Sequence, residues 1–502
     1  MKSAFVYDGC GPKKPRNSDL WRSKKLDKSL NTSTKSYSVL VRRNMTRFIN
    51  PTPGGHVALR ATAEHQTTSS TFETGQDTIT RIDEVRKEPN VVESQEELLQ
   101  VKELYVPLEK KEETILEAEE LVKLTLSELD LQWLHVLADG WAAPLEGFMK
   151  EDEYLQSLHF STLRLKDGTI VNQSIPIVLP ISNSDKERIG TERKVALCHP
   201  DFPGKPVAVL RNIEIFHHHK EERCARTFGI TDPRHPYTSV IYESGDWLVG
   251  GKLEVLERIK YGDGLDSYRY SPRQLKEEFR RREADAVFVF QLRNPIHNGH
   301  ALLMNSCREK LLQKGFKKPL LLVHQIGGKV KDDDVPLDIR IAQNEAILEE
   351  GILDPHNTII GIFPSPMIYA GPKEVQWHAK ARMNAGCKFY IVGRDPAGMK
   401  HPGTNRDMYD PWHGKKVLMM APGLEKLEIL PFQVAAYNLK SGGMEFFDSS
   451  RPEDFLFISG TKMRKFASTG EEPPAGFMGK KAWEILASYY QNKREDTPPQ
   501  SR

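Results

Sequence analysis

From about residue 280 onward, apolar runs of four to six residues alternate with helix-length amphipathic segments that stop at a glycine. Residues 286–290 are followed by a helix to Gly315. The run 320–323 precedes a helix over 336–350 closed by Gly351, and 358–363 a helix over 373–384 closed by Gly386. Further strand-like runs follow at 389–392, 427–430 and 455–458. An unbroken apolar run fits a strand buried on both faces, and a glycine just past a helix fits a left-handed terminating residue. Repeated βαβ units predict a doubly wound parallel sheet, an α/β fold whose ligands bind at the carboxyl ends of its strands.

The loops leaving those ends therefore carry the chemistry. The first reads QLRNPIHNGH: Gln291, Arg293 and Asn294 after the strand, then Pro295, then His297 and His300 as a helix begins. Residues three apart in a helical turn share a face, so both imidazoles can address one point beside a helix N-terminus. Free backbone N–H groups and the positive end of the dipole favour an anion there, and polyphosphate is the natural candidate. Two histidines at a helix start can also merely cap it; the flanking strand, arginine and glutamine favour a site. Gly393-Arg394-Asp395 follows strand 389–392 directly. Glycine permits close backbone approach, arginine can grip an oxyanion, and aspartate can hold a ribose hydroxyl or orient the arginine. Ser459, Thr461 and Arg464 open a helix after strand 455–458, a third anion-binding end. The segment 324–334, HQIGGKVKDDD, offers Lys331 as a phosphate contact. No nucleophile–base pair is evident. Direct displacement at phosphorus requires this inventory, with Mg²⁺ arriving on the polyphosphate.

The 502 residues allow two or three domains. Between 105 and 270, short β-like runs at 169–171, 175–179, 195–197, 207–210 and 253–256 predict a mostly β domain. GDWLVGGK at 245–252 has the wrong spacing for a P-loop and reads as a turn, and His217-His218-His219 as a solvated surface run. Ordered chain is expected to begin near Leu99. Residues 1–60 hold thirteen Lys/Arg against three Asp, a local charge of +10, and residues 61–120 balance it at −10. An arginine-rich, acid-poor leader suits an organelle transit peptide, or a cytoplasmic protein with a disordered basic tail. Five cysteines, Cys10, Cys198, Cys224, Cys307 and Cys387, are scattered without a CxxC, which argues against a disulfide framework or zinc site. A net charge of +2 gives no electrostatic case for nucleic acid, and no apolar run approaches the ~18–20 residues of a membrane span.

Beyond these readings, QLRNPIHNGH, FPSPMIYAGPKEVQWHAKARMNAG, FYIVGRDPAGMKHP, MAPGLEKLEILPFQVAAYN and FISGTKMR, in this order, resemble the ATP sulfurylase (sulfate adenylyltransferase) family, most closely its plant-type members and the sulfurylase half of PAPS synthases. The likeness runs from about Leu129 to Tyr490. It implies a PUA-like domain over 105–272 and an HxGH-type nucleotidyltransferase domain over 280–495, with a subdomain from about 445, after an extension over 1–100. It also implies a homo-oligomer that converts Mg·ATP and sulfate into adenosine 5′-phosphosulfate and pyrophosphate as the first step of sulfate assimilation. The lack of a Walker A sequence argues against an attached APS kinase. By position, Gln291, Arg293 and the backbone at Ala397 would hold sulfate. Asn294, His297 and His300 would contact the phosphates, with Gln291 bordering the nucleotide; Arg293 and these three would be catalytic. Gly393, Arg394, Asp395 and Val434 would hold the nucleoside, and Thr461 and Arg464 would assist with phosphate. Gln325, Val330 and Asn344 depart from the family pattern and are expected in or beside a mobile loop. The alternatives are another HxGH adenylyltransferase with a different acceptor, or an inactive relative binding RNA through its PUA-like part.

Overall fold

The computed structural model describes residues 101–331, 334–458 and 460–495. The expected extension 1–100 with Cys10, the acids Asp332 and Asp333, Ser459 and the side chain of Thr461 lie outside the described residues.

The first half is built on a five-stranded sheet ordered β1-β5-β6-β7-β4: β1 (Lys123–Thr125), β4 (Leu179–Ile181), β5 (Lys194–Cys198), β6 (Pro206–His217) and β7 (Trp247–Val255). Only β1 and β5 run parallel. A separate hairpin pairs β2 (Thr162–Arg164) with β3 (Ile170–Asn172). The expectation of a mostly β domain is corrected, because helices including α1 (Lys111–Glu120) and α2 (Glu128–Ala138) intervene. A Ser127–Asp130 capping box starts α2, and its apolar residues then run into the core. Residues 175–178 are buried but outside any strand.

GDWLVGGK is not a turn; most of it is β7. Its glycines serve close backbone approach instead: a Cβ on Gly250 would sit 2.1 Å from Met149 O, and one on Gly251 2.6 Å from Arg211 O of the paired β6. Residues 146–149 run beside the strand there, with Gly251 N–H donating to Phe148 O at 2.9 Å and Leu253 N–H to Glu146 O at 2.8 Å. The histidine run is also not simply solvated. His218 is buried, with Nδ1 3.0 Å from Gly245 O and Nε2 accepting from Arg223.

The second half holds a wholly parallel sheet ordered β10-β9-β8-β11-β12: β8 (Ala286–Leu292), β9 (Pro319–Ile326), β10 (Thr358–Phe363), β11 (Phe389–Ile391) and β12 (Glu428–Leu430). The first strand in sequence lies at the centre, and the chain steps outward in opposite directions from it. Its carboxyl end therefore borders the crevice where strand order reverses. Side chains alternate between two cores, as the two-residue strand period requires. Val287, Val289, Leu320 and Leu322 join one cluster, while Ala286, Phe288, Phe290, Leu321 and Val323 join the other. Helix α3 (Asn298–Gln313) packs Leu303, Met304 and Leu311 into the second cluster, and α5 (Pro372–Asn384) packs Val375, Trp377 and Ala381 into the first, after α4 (Leu337–Glu349). Gly315, Gly351 and Gly386 take the left-handed φ values of +98°, +69° and +85° expected of helix terminators.

Strand 455–458 does not extend this sheet. It shortens to β15 (Phe455–Leu456) and pairs antiparallel with β13 (Ala435–Asn438) in a small sheet completed by β14 (Gly443–Phe446). Helices α6 (Gly460–Thr469) and α7 (Lys480–Glu495) close the chain. Among the described residues no helix is long and apolar enough to cross a membrane.

Candidate active site

Three chain segments meet at the carboxyl end of β8. The register Ile391↔Phe290 and Gln291↔His324 brings the exits of β11 and β9 alongside that of β8. The turn after β8 is tied down by Gln343 on α4, whose side-chain oxygen accepts from Ile296 N–H at 2.9 Å. His297 then caps α3, its Nδ1 accepting from Gly299 N–H at 3.1 Å. The His297 and His300 rings stack with centroids 3.8 Å apart, and Phe477 lies against His297 at 5.2 Å. The expected convergence of the two imidazoles is thus present. Burial, with the neighbouring His300 second, drives the His297 pKa well below the ordinary value, and burial lowers that of His300 to about 4. Both rings are neutral near pH 7, and His300 Nδ1 has no hydrogen-bond partner. A buried nitrogen left without a partner at a helix N-terminus suits a ligand that supplies one.

Arg293 extends from the same turn. One guanidinium nitrogen donates to Asp334 Oδ2 at 3.2 Å, and the group lies 5.3 Å from the centre of the Tyr369 ring. Lys331 also lies over that ring, at 4.5 Å, and its backbone N–H donates to the Tyr369 hydroxyl. Gln291 is half-buried and bonded on both sides: its Nε2 is 2.9 Å from His378 Nδ1, and its Oε1 is 3.4 Å from the Tyr390 hydroxyl. Asn294 is half-buried within the turn. His378, Tyr390, Asp334 and Tyr369 carry no signal in the sequence that ties them to this turn. Gln291 and His378 are 87 residues apart, and only folding joins them.

Gly393, Arg394 and Asp395 leave β11 as expected, with Gly393 facing the Phe432 ring. Asp395 holds a φ of +47° and donates its N–H to Pro411 O. Burial, then the nearby Asp407, raises its pKa, while Arg293 opposes the rise; Asp395 and Arg293 thus share one electrostatic neighbourhood. The aspartate does not orient Arg394, which is exposed and lies 3.8 Å from Asp407 instead. Ala397 is fully buried, and its carbonyl accepts from Gly371 N–H at 3.0 Å.

Val434 is a surface residue just before β13, and its carbonyl accepts from Phe447 N–H. Thr461 and Arg464 lie on α6, which follows the small antiparallel sheet rather than a parallel strand, so they approach from another layer. That layer does reach the histidines: a Cβ on Gly299 would lie 2.6 Å from Met444 Cε of β14.

Of the family departures, Val330 lies in the loop after β9, and Gln325, the penultimate residue of β9, lies beside it as expected, fully buried with its oxygen accepting from Arg340 at 2.9 Å. Asn344 does not: it is buried within α4 with both amide atoms unpartnered.

Among the described residues no group of three His, Cys, Asp or Glu is placed to hold a metal ion. The hydrogen-bond donors of the turn are amide, guanidinium and imidazole, groups suited to oxyanions, and the Asp334 carboxylate is engaged by Arg293.

Comparison with known proteins shows the family. The ATP-sulfurylase family model matches residues 266–489, and that of the PUA-like domain residues 94–258. ATP sulfurylase 2 of Arabidopsis thaliana is 61% identical over 385 residues, covering 76% of this chain and 80% of the relative. ATP sulfurylase 4, chloroplastic, of the same plant is 59% identical, covering 75% and 80%. A sulfate adenylyltransferase of Halothermothrix orenii is 31% identical, covering 75% and 94%. A solved structure described as a hexameric APS kinase from Thiobacillus denitrificans superposes with a TM-score of 0.56 at 19% identity, covering 77% of this chain and 67% of that one, which is a likeness of fold. The chain belongs to the ATP sulfurylase family of sulfate adenylyltransferases.

Proposed function

We propose that sulfate displaces pyrophosphate from Mg·ATP at the rim formed by β8, β9 and β11. A sulfate oxygen attacks the α-phosphorus, the bond to the bridging oxygen of pyrophosphate breaks, and adenosine 5′-phosphosulfate forms. Arg293, Gln291 and the backbone at Ala397 hold the sulfate. Asn294, His297 and His300 face the triphosphate and stabilise the charge that spreads over it in the transition state. Gly393, Arg394, Asp395 and Val434 border the nucleoside, and Thr461 and Arg464 support the phosphates. The domain carrying this rim, 280–495, is of the HxGH nucleotidyltransferase type and follows a PUA-like domain over 105–272. Mg²⁺ enters as part of the nucleotide, neutralising its phosphates.

One observation carries the reading: two stacked neutral imidazoles at a helix N-terminus, one with an unpartnered buried nitrogen, lie in the same turn as Arg293. Preorganised donors of this kind stabilise a developing charge without reorganising. The test is sulfate-dependent pyrophosphate release from Mg·ATP. His300→Ala and Arg293→Ala should each abolish it while leaving the protein folded; retained turnover in both would refute the placement. A homo-oligomer acting in a plastid fits the same reading, given the arginine-rich leader and a relative designated chloroplastic. Sedimentation and the destination of a reporter fused to residues 1–100 check these two points.

A further inference from the structure

The carboxamide of Gln291 is gripped at both polar atoms by buried residues outside the roles given above. Its nitrogen is 2.9 Å from His378 Nδ1, and its oxygen 3.4 Å from the Tyr390 hydroxyl. An amide carries two N–H donors, so when one is spent on His378 the second remains for a ligand. His378 can accept that bond only as a neutral ring with a bare Nδ1. Burial, reinforced by the charge of Arg382, holds its pKa well below the ordinary value and keeps the ring neutral; with its proton on Nε2, Nδ1 is bare. On the far side of the ring, Nε2 lies 3.5 Å from Glu374 Oε1. Glu374 is itself anchored by the N–H groups of Ile368 and Ala370 at 2.8 and 3.0 Å. The bonded run His378–Gln291–Tyr390, with Glu374 beside His378 on the same helix, thus ties α5 and β11 to the end of β8.

We propose that His378 and Tyr390 are positioning residues for sulfate, fixing the Gln291 amide so that an N–H, and not its carbonyl oxygen, faces the anion. The proposal rests on the reading that Gln291 touches sulfate. A freed amide can turn over and set a carbonyl dipole against a dianion, replacing attraction with repulsion. No bond is made or broken by His378; it acts through Gln291 alone.

Steady-state kinetics on the full-length enzyme test this. His378→Leu should raise the KM for sulfate about tenfold or more, the effect of losing a hydrogen bond to a charged group. The KM for ATP and kcat should move far less. His378→Asn, whose side-chain oxygen can stand where Nδ1 stood, should recover most of the loss. A purely structural role predicts the opposite order, because leucine packs better than asparagine against the Phe363 ring beside His378. Should His378→Leu fail to fold, Tyr390→Phe removes only a hydroxyl and should still raise the sulfate KM several-fold, roughly the value of one neutral hydrogen bond. An unchanged sulfate KM in these variants, or asparagine no better than leucine, overturns the proposal. Gln291→Ala separates the two levels. If it leaves the sulfate KM unchanged, the assignment of Gln291 fails and the positioning role falls with it. If it raises the KM while the His378 and Tyr390 variants do not, positioning alone fails.

Discussion

Replacing His300 with glutamine should push stability and activity in opposite directions under mild acid. Burial lowers the pKa of this imidazole to about 4, whereas a histidine in an unfolded chain titrates near ~6.5. Between those values the unfolded chain takes up a proton that the folded chain refuses. Unfolding is therefore favoured as pH falls through that window, and above it the residue adds no pH dependence. From the two pKa values the penalty is roughly 2 kcal/mol at about pH 5 and close to zero at about pH 7.5. The ring keeps some access to solvent, and screening reduces the expected figure to about 1–2 kcal/mol. Glutamine cannot bind that proton. The native protein should thus lose about 1–2 kcal/mol more than His300→Gln between the two pH values, by urea unfolding. The shift of His297 stems first from its own burial, so it persists in both proteins and largely cancels. At about pH 7.5 the same substitution should cost about 10²–10³ in kcat for pyrophosphate release, the usual effect of deleting one preorganised donor. Equal acid losses in the two proteins, or wild-type turnover in the variant, would refute the reasoning.

Three further outcomes follow from the geometry. Asp334 occupies Arg293 at 3.2 Å from a nearly buried position, so Asp334→Asn should lower the sulfate KM by about threefold or more, since a carboxylate beside the site repels a dianion; a higher KM would mean that Asp334 holds the arginine in place. Chelation of Mg²⁺ should stop pyrophosphate release reversibly yet leave the melting temperature of the nucleotide-free protein unchanged, because in the proposed reaction the metal arrives with ATP; a fall in that temperature would point to a resident ion. Gly250→Ala should destabilise the fold by more than about 3 kcal/mol, because its Cβ would meet backbone that cannot rotate away. Gly443→Ala, with open space at the same distance, is the control, and urea midpoints read both.

The parts of the fold legible in the sequence were those where burial leaves a one-dimensional trace. Residues 286–290 are apolar throughout, and 358–363 are so after Thr358, because both faces of β8 and β10 are covered, and Gly315, Gly351 and Gly386 mark helix ends because each needs a positive φ. The turn with Arg293, His297 and His300 was legible because strand, proline and helix start lie within one short stretch. Longer-range facts leave no such trace. Arg293 and Asp334 are 41 residues apart. β15 has the composition of a sheet strand yet pairs antiparallel in another layer, since the choice of partner depends on β13. GDWLVGGK resembles a turn because its glycines answer to backbone packed closely beside them from distant parts of the chain, which local spacing does not encode.

One apolar cluster unites the residues of both family matches. Trp133 lies 6.1 Å from Trp377, and Trp141 5.1 Å from Phe363. Asn172 bonds Gln376, and Asn384 bonds Trp141 O. Severed near residue 262, each portion would present to water a surface that the other covers. Such a gene is not free to trade its portions for foreign ones: a transplanted catalytic portion would need tryptophan sockets shaped for it in advance. Variation here should proceed by paired compensating substitutions across the seam, with the two portions inherited as one.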